Sequence, residues 1–411
     1  DRVSILVVPI DDEGADDNGD YIADGLTEEI ITELSKSRSL RVIARASAMR
    51  LKGAGDAVQG IANRLGVDFI LDGSVRKWGD KLRVILQLSR LGSNDAQWSE
   101  HYDSTLGDLF EIQDEIARSV AKELSIRLGA PNPTSVTEPE DPRAIESYLR
   151  ARYETLKFSE DGLQQAERYL LNGLHIVGPN ARLLSALGHA YAKYSELGLD
   201  PTGEFITKAG ECAEKIFELD PHSPPGYLLL GVVRFFSGAL REARAPLERS
   251  LETNPTDPDA LVILGYLCAL SGQNERASQL FYEALDVDPL TPLNHCMPGF
   301  VAVMEGRYAD ALPHYKRFLE LDPKNPFAIW TWSYVLLRNG KVDEASEAVH
   351  QLNTEHAGSA LAQLGAALLH GVCGEPEAAR EAVTDKLRAA ARNTELLSRE
   401  LTHCLALAGE A

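Results

Sequence analysis

The stretch LDPHSPPGYLLLGVVRFFSGALREARAPLERSLETNP, residues 219–255, opens and closes on a proline-containing turn and holds apolar residues at helical spacing between. Its two bounding prolines, Pro221 and Pro255, are 34 residues apart, and the same step leads on to Pro289 and Pro323. A second register runs through Ala209, Ala243, Ala277, Ala311, Ala345 and Ala379, again 34 apart. A fixed period of this length means one helical unit, repeated, that buries its apolar face only by stacking on its neighbours.

Successive units end in LDP, NPTDP, VDP and LDP, and Gly188, Gly231, Gly265 and Gly299 recur at one small position, taken by Ser333 and Ala367 in the sixth and seventh units. An earlier unit centred on Ala166 precedes Ala209 by 43 residues, which places an insertion near Glu196 to Phe205. The double register resembles the tetratricopeptide repeat, whose two helices cross at a small residue. The resemblance implies an all-α superhelix over residues 143–411, about seven helical pairs plus a capping helix from about Thr394 to Leu407.

In that family the first helix of each pair lines the concave surface. Here those positions hold Leu228, Val232 and Phe235 in the third unit, Val262 and Tyr266 in the fourth, Phe300 and Val303 in the fifth, and Trp330, Tyr334 and Leu337 in the sixth. An apolar, aromatic row suits an amphipathic helix or an extended peptide of a protein partner, with Trp330 and Tyr334 as the first choice of contact. The same row serves equally well for packing between repeats or against the chain's own last helix. It lacks the Lys, Arg and Asn clamp by which such repeats hold acidic chaperone tails.

Residues 1–130 read differently. VSILVVPI (Val3 to Ile10) is a buried strand, and YIADGLTEEIITELSKS (Tyr21 to Ser37) a helix with Leu26, Ile30, Ile31 and Leu34 on one face. Asp24 is expected to cap it, with Glu28 and Glu29 in its first turns on the outer face, where negative charge is favoured by about 0.3–1 kcal/mol. RVIAR (Arg41 to Arg45) reads as a strand and Ala57 to Leu65 as a helix stopped by Gly66. Two alternating strands then meet at a Trp78, Gly79, Asp80 turn, a last strand covers Gln97 to Tyr102, and an amphipathic helix runs from Asp108 to Leu128. The fold class expected is therefore an α+β domain, a mixed sheet with helices packed on it, followed by the all-α superhelix. PNPTSVTEPEDP (131–142), with four prolines, reads as the linker between them.

The series ADGLTEEIITELSKS, RVIARAS, LGVDFILDGSVRK, LRVILQL and QWSEHYDSTLGDLFEIQDEIA resembles the TolB amino-terminal-like domain from Val3 to about Leu128. That resemblance implies a bacterial regulatory module set between an effector and tetratricopeptide repeats. The effector would be a winged-helix DNA-binding domain, a class III adenylate or guanylate cyclase, or a serine/threonine kinase. It carries no catalytic residue onto these positions.

Sixty-two acids against forty-one bases leave a net charge of −21, which repels nucleic-acid phosphate and anionic membrane surfaces. No apolar run reaches the roughly 20 residues that span a bilayer. Cys212, Cys268, Cys296, Cys373 and Cys404 lack ligand spacing and read as buried free thiols. His101, His189, His295, His314 and His403 have no HExxH-type partner, and Asp11 to Asp20 fails as a calcium loop because Tyr21 stands where glycine is needed. No phosphate loop or nucleophile elbow is present, so no cofactor, metal or catalytic residue is expected. The chain begins at Asp1 with a strand, which reads as a fragment or processed product. The functional expectation is a non-enzymatic module that binds a protein partner or forms a homodimer. Its alternatives are the regulatory half of a cyclase or kinase and a stand-alone envelope assembly scaffold. A soluble effector would leave the module in the cytoplasm, and an effector with a membrane helix would place it in the periplasm.

Overall fold

The computed structural model describes residues 2–14, 20–55, 57–93, 96–124, 139, 141–155, 157, 159–197, 199–200, 202–391 and 395–409, without the side chains of 390 and 395–397. The linker lies outside the described residues apart from Pro139, Asp141 and Pro142, and so do residues 15–19 of the acidic loop. Internal contacts divide the chain into two compact units, Asp1–Pro289 and Leu290–Ala411.

In the first unit the sheet comes first. Strands β1 (Val3–Val7), β2 (Asp11–Asp12), β3 (Leu40–Val42), β4 (Phe69–Trp78), β5 (Lys81–Arg90) and β6 (Ala96–Thr105) are ordered β3-β1-β4-β5-β6, with β2 beside β4. β1 pairs in parallel with β3 and β4, and the β4-β5-β6 meander is antiparallel, so the sheet is mixed. Ile5, Leu6 and Val7 are fully buried, as a continuous β-branched and aliphatic run between two parallel neighbours requires. Gly79, at φ +62°, makes the tight turn that pairs Trp78 with Lys81. A Cβ on Gly73 would lie 2.1 Å from the Ile85 carbonyl oxygen, so the β4-β5 ladder tolerates only glycine there.

Helices α1 (Asp20–Ser35), α2 (Arg45–Met49), α3 (Ala57–Leu65) and α4 (Leu109–Glu123, after a 3-10 turn at Leu106–Asp108) accompany this sheet. Two expectations change. The strand read as Arg41 to Arg45 ends at Val42, because the Ala44 N–H leaves the sheet to donate to the Val287 carbonyl at 2.6 Å and α2 begins at Arg45. Helix α1 starts at Asp20, four residues before the expected cap, so Asp24 stands in its second turn and Glu28 and Glu29 in its middle.

The same unit continues through the pairs α5 (Pro142–Thr155) and α6 (Glu160–Val177), α7 (Ala181–Glu196) and α8 (Glu204–Leu219), α9 (Pro224–Phe236) and α10 (Leu240–Thr253), and α11 (Pro258–Leu270) and α12 (Asn274–Val287). The second unit holds α13 (Pro292–Met304) and α14 (Tyr308–Leu321), α15 (Pro326–Arg338) and α16 (Val342–Glu355), and α17 (Ala360–Val372) and α18 (Pro376–Ala382). It ends with α19 (Asp385–Ala391) and α20 (Glu395–Leu407). Where one second helix was expected in the seventh pair, two short ones stand, the later capped by Thr384 accepting the Leu387 N–H at 3.3 Å.

The physics of the period is visible in each repeat. Pro224, Pro258, Pro292 and Pro326 open their helices at positions whose N–H would have no partner. Ser223, Asp257 and Asn325 accept the next free N–H groups as caps. The six periodic alanines are wholly buried. Two of the periodic glycines admit aromatic rings: a Cβ on Gly265 would lie 2.7 Å from Phe281, and one on Gly299 2.7 Å from Tyr315.

Candidate functional site

The acids of α1 do not face solvent. Asp24, Glu28 and Glu29 are 4, 6 and 5% exposed, which corrects the reading that put them on an outer face. Each is matched by a cation. Lys52 Nζ donates to Asp24 Oδ1 at 2.8 Å. Arg45 Nε lies 3.0 Å from Glu28 Oε2, and Arg152 Nε, on α5, donates to the same oxygen at 3.2 Å. Glu29 accepts from the Tyr148 hydroxyl at 2.8 Å and pairs with Arg182 Nη1, on α7, at 2.8 Å. The Arg182 guanidinium also lies over the Phe110 ring of α4, 4.4 Å from its centroid.

Burial pushes the Asp24 carboxyl above the usual carboxylate range, against the pull of Lys52. Burial likewise lowers the Arg45 and Arg152 guanidiniums to about 10. With every carboxylate held by a cation, the cluster has no free base for proton transfer; it is a docking seat. The seat extends to a second point of contact. Ser47 Oγ donates to Asp288 Oδ1 at 2.6 Å, Arg41 Nε pairs with Asp286 at 2.7 Å, and Thr256 Oγ1 donates to the Ser35 carbonyl at 3.3 Å. The sheet domain and the first four repeats are thereby one body, which is why the compact unit runs to Pro289.

Beside this seat, His189 and Lys193 of α7 share the electrostatic field of Arg152 and Asp259. Burial lowers the imidazole to about 4, with Arg152 adding to the shift. Burial raises the Asp257 carboxyl to about 7, with Asp259 adding. Sequence reasoning missed Arg152, Arg182 and His189, although one signal was present. His189 follows Gly188 by one residue, as Val232 follows Gly231, so the inner-facing phase already pointed to it.

The expected inner-face residues fall into two groups. In the first unit, Val232 is buried and Leu228, Phe235, Val262 and Tyr266 are half-buried, with Phe235 edge-on to Tyr266 at 5.8 Å. In the second unit Phe300, Val303 and Tyr334 are half-buried, whereas Trp330 and Leu337 are 4 and 5% exposed. Trp330 stacks on Phe327 at 5.9 Å and meets Tyr334 at 5.6 Å. Trp330 and Leu337 belong to the same buried cluster as Leu364 and Leu368 of α17 and Leu401 and Cys404 of α20.

Among the described residues no group of three or more His, Cys, Asp or Glu is placed to hold a metal ion, and no helix is long and apolar enough to cross a membrane. Cys212, Cys268, Cys296 and Cys404 are buried free thiols, but Cys373, at the end of α17, is exposed, against expectation.

Residues 228–292 and 302–369 match the tetratricopeptide repeat family. These segments are tetratricopeptide repeats. A curated relative, "Putative adenylate cyclase 3" of Rhizobium meliloti (strain 1021), is 31% identical over 245 residues, 59% of this chain and 42% of its own length. The chain thus spans less than half of that relative. Among solved structures, a tetratricopeptide repeat protein of Parabacteroides merdae ATCC 43184 is 18% identical, with a TM-score of 0.44, and the match covers 63% of this chain and 99% of that one. YrrB, described as a tetratricopeptide protein with an unusual peptide-binding site, is 21% identical with a TM-score of 0.34, covering 46% of this chain and 97% of its own. The tetratricopeptide repeats make this chain a protein-interaction scaffold.

Proposed function

We propose that the chain is a non-catalytic regulatory module that takes up a protein partner, or a second copy of itself, along the apolar inner face of its repeats. The observation that carries this reading is the half-buried row Leu228, Phe235, Val262 and Tyr266, large apolar side chains on the helices that line the concave surface of this repeat. The TolB-like resemblance of the sheet domain supports a regulatory role, and the net charge of −21 argues against direct nucleic-acid binding.

A photo-crosslinking amino acid at Phe235 or Tyr266, in the native host, is expected to trap a defined protein that the same group at Tyr282, 54% exposed on a second helix, does not. Phe235→Ala should weaken that complex by about 1–2 kcal/mol, roughly five- to thirtyfold in Kd, with the thermal unfolding curve little changed. Identical products from all three positions, or an undiminished complex with Phe235→Ala, rejects the reading.

The relative named for an adenylate cyclase favours one form of it, in which this module regulates a cyclase domain in the whole protein. Sequencing the coding DNA upstream of Asp1 tests that form. A cyclase domain there predicts that Phe235→Ala alters cyclic-nucleotide output; a kinase, a winged helix or a signal peptide there excludes it.

A further inference from the structure

The sheet has two edges, and the chain treats them differently. The last turn of α12 closes the β3 edge, where Arg41 Nε pairs with Asp286 at 2.7 Å and the Ala44 N–H donates to the Val287 carbonyl at 2.6 Å. The opposite edge is β6, ten residues long, which pairs with β5 alone. Alternate N–H and C=O groups of β6 therefore point away from the sheet. Among the described residues no backbone group meets them, and the hydrogen bonds at the two ends of the strand, Gln97 to Glu123 and Thr105 to Asp108, use side-chain atoms. An open edge of this length is a template for another strand.

Natural edges are guarded by proline, lysine, bulges or shortness, and AQWSEHYDST contains neither proline nor lysine. The irregularity at Leu88 and Ser89 leaves the pairing of Trp98 through Thr105 with β5 unbroken. The guard it does carry is charge, in the exposed residues Glu100, His101 and Asp103. These charges select the partner. In an antiparallel pair, directly opposed residues share a face, so two copies of β6 related by a two-fold axis must set one residue against its own copy. An axis at Glu100 or at Asp103 opposes like acids, and an axis at His101 opposes two imidazoles. An axis at Tyr102 sets His101 opposite Asp103 twice, once on each side, with Glu100 opposite Ser104 and Ser99 opposite Thr105.

We propose that β6 pairs antiparallel with β6 of a second copy about a two-fold axis at Tyr102, so that one sheet runs through a dimer with His101 and Asp103 matched across the join. A strand that meets its own charges in register is its own best partner, which is what a two-fold interface requires. Asp103 has room for the contact. It accepts Arg83 Nε at 2.6 Å and Nη2 at 2.8 Å on the exposed face of the sheet, and a carboxylate takes more than two donors. This places self-association in the sheet domain, apart from the inner face of the repeats.

The test weighs the full chain in solution by sedimentation equilibrium. The native chain is expected to form a dimer at micromolar concentration. His101→Asp opposes acids on both sides of the axis and should weaken that dimer about tenfold; Asp103→Lys opposes a cation to each imidazole and should weaken it as well. Both positions are exposed, and the Arg83 pair lost with Asp103→Lys is a surface one, so circular dichroism and melting should stay native-like. An equal mixture of the two variants is expected to regain native-like association, because each acid of the first then faces a cation or an imidazole of the second. A native chain that stays monomeric at high micromolar concentration overturns the proposal. So does a dimer that His101→Asp leaves undiminished, or a mixture that associates no better than its parts. Phe235→Ala should leave this dimer intact, whereas a second copy lying along the repeats would be lost with that change, so the two readings fail separately.

Discussion

Two helices from outside the repeating pairs, α1 and α20, each settle on repeat helices, and they do so by different physics. Helix α1 is held by charges that meet across the contact, Glu28 to Arg152 and Glu29 to Arg182. Helix α20 is held by Leu401 and Cys404 in the buried cluster they share with Leu364 and Leu368 of α17 and by Arg380 Nε donating to the Ala408 carbonyl at 3.0 Å, with its buried acid Glu400 paired to Arg399 of its own helix. Charge pairs demand register and orientation; apolar contact demands little beyond shape. The first seat thus fixes register and orientation, the second chiefly shape.

The largest effect should come from the apolar seat. Trp330→Ala removes a 4%-exposed indole from the cluster shared with α20 and is expected to cost about 3–5 kcal/mol, read as a lower urea midpoint by circular dichroism. A change under about 1 kcal/mol would mean that this ring is not buried in the cluster.

Glu28→Ala should follow at about 3 kcal/mol, at the low end for a broken buried pair because Arg152 keeps partial exposure. Adding Arg152→Met should return part of that loss, since it removes one of the two cations, Arg45 and Arg152, left without Glu28. If the double variant is no more stable than the single, the α1 seat is not held by this pair.

The smallest effect is a slope. The folded His189 titrates near 4, below its ordinary value of 6.5, so the unfolded chain binds the extra proton between those values. Its contribution is present above pH 6.5 and is lost as pH falls through about 4. Asp257 runs the other way: its folded value near 7 gives stability that falls as pH rises from the ordinary aspartate range toward 7. His189→Gln should therefore flatten the rise in urea midpoint between pH 4.5 and 6.5, and Asp257→Asn should steepen it. Parallel profiles for native chain and variants would show that neither group is buried as described.

Much of this was legible in the amino acids, for a local reason. Gly265 and Ala277 sit where they do because a ring and a helix crossing occupy the space beside them, and that constraint repeats every 34 residues. The Ala57–Leu65 helix and the Gly79 turn were equally local. What escaped was tertiary. Glu28 and Glu29 carry the signs of a solvated helix face until Arg152 and Tyr148, more than a hundred residues away, close over them. The RVIAR strand failed for the same reason, since its Ala44 N–H is taken by Val287. For the inner-face row the sequence left a partner and packing within the chain both open, and Trp330 and Leu337 lie in the buried cluster that also holds Leu401 and Cys404 of the last helix.

The bond between the sheet domain and the first repeats also has a mechanical meaning. Because the Glu28, Glu29 and Ser47 side chains and the Ser35 carbonyl hold partners far along the chain, the peptide backbone between α4 and α5 is not what keeps the halves together. A protease cut there would nick the molecule without dividing it, and the two pieces would travel through a sizing column as a single particle until acid or denaturant loosened the carboxylates.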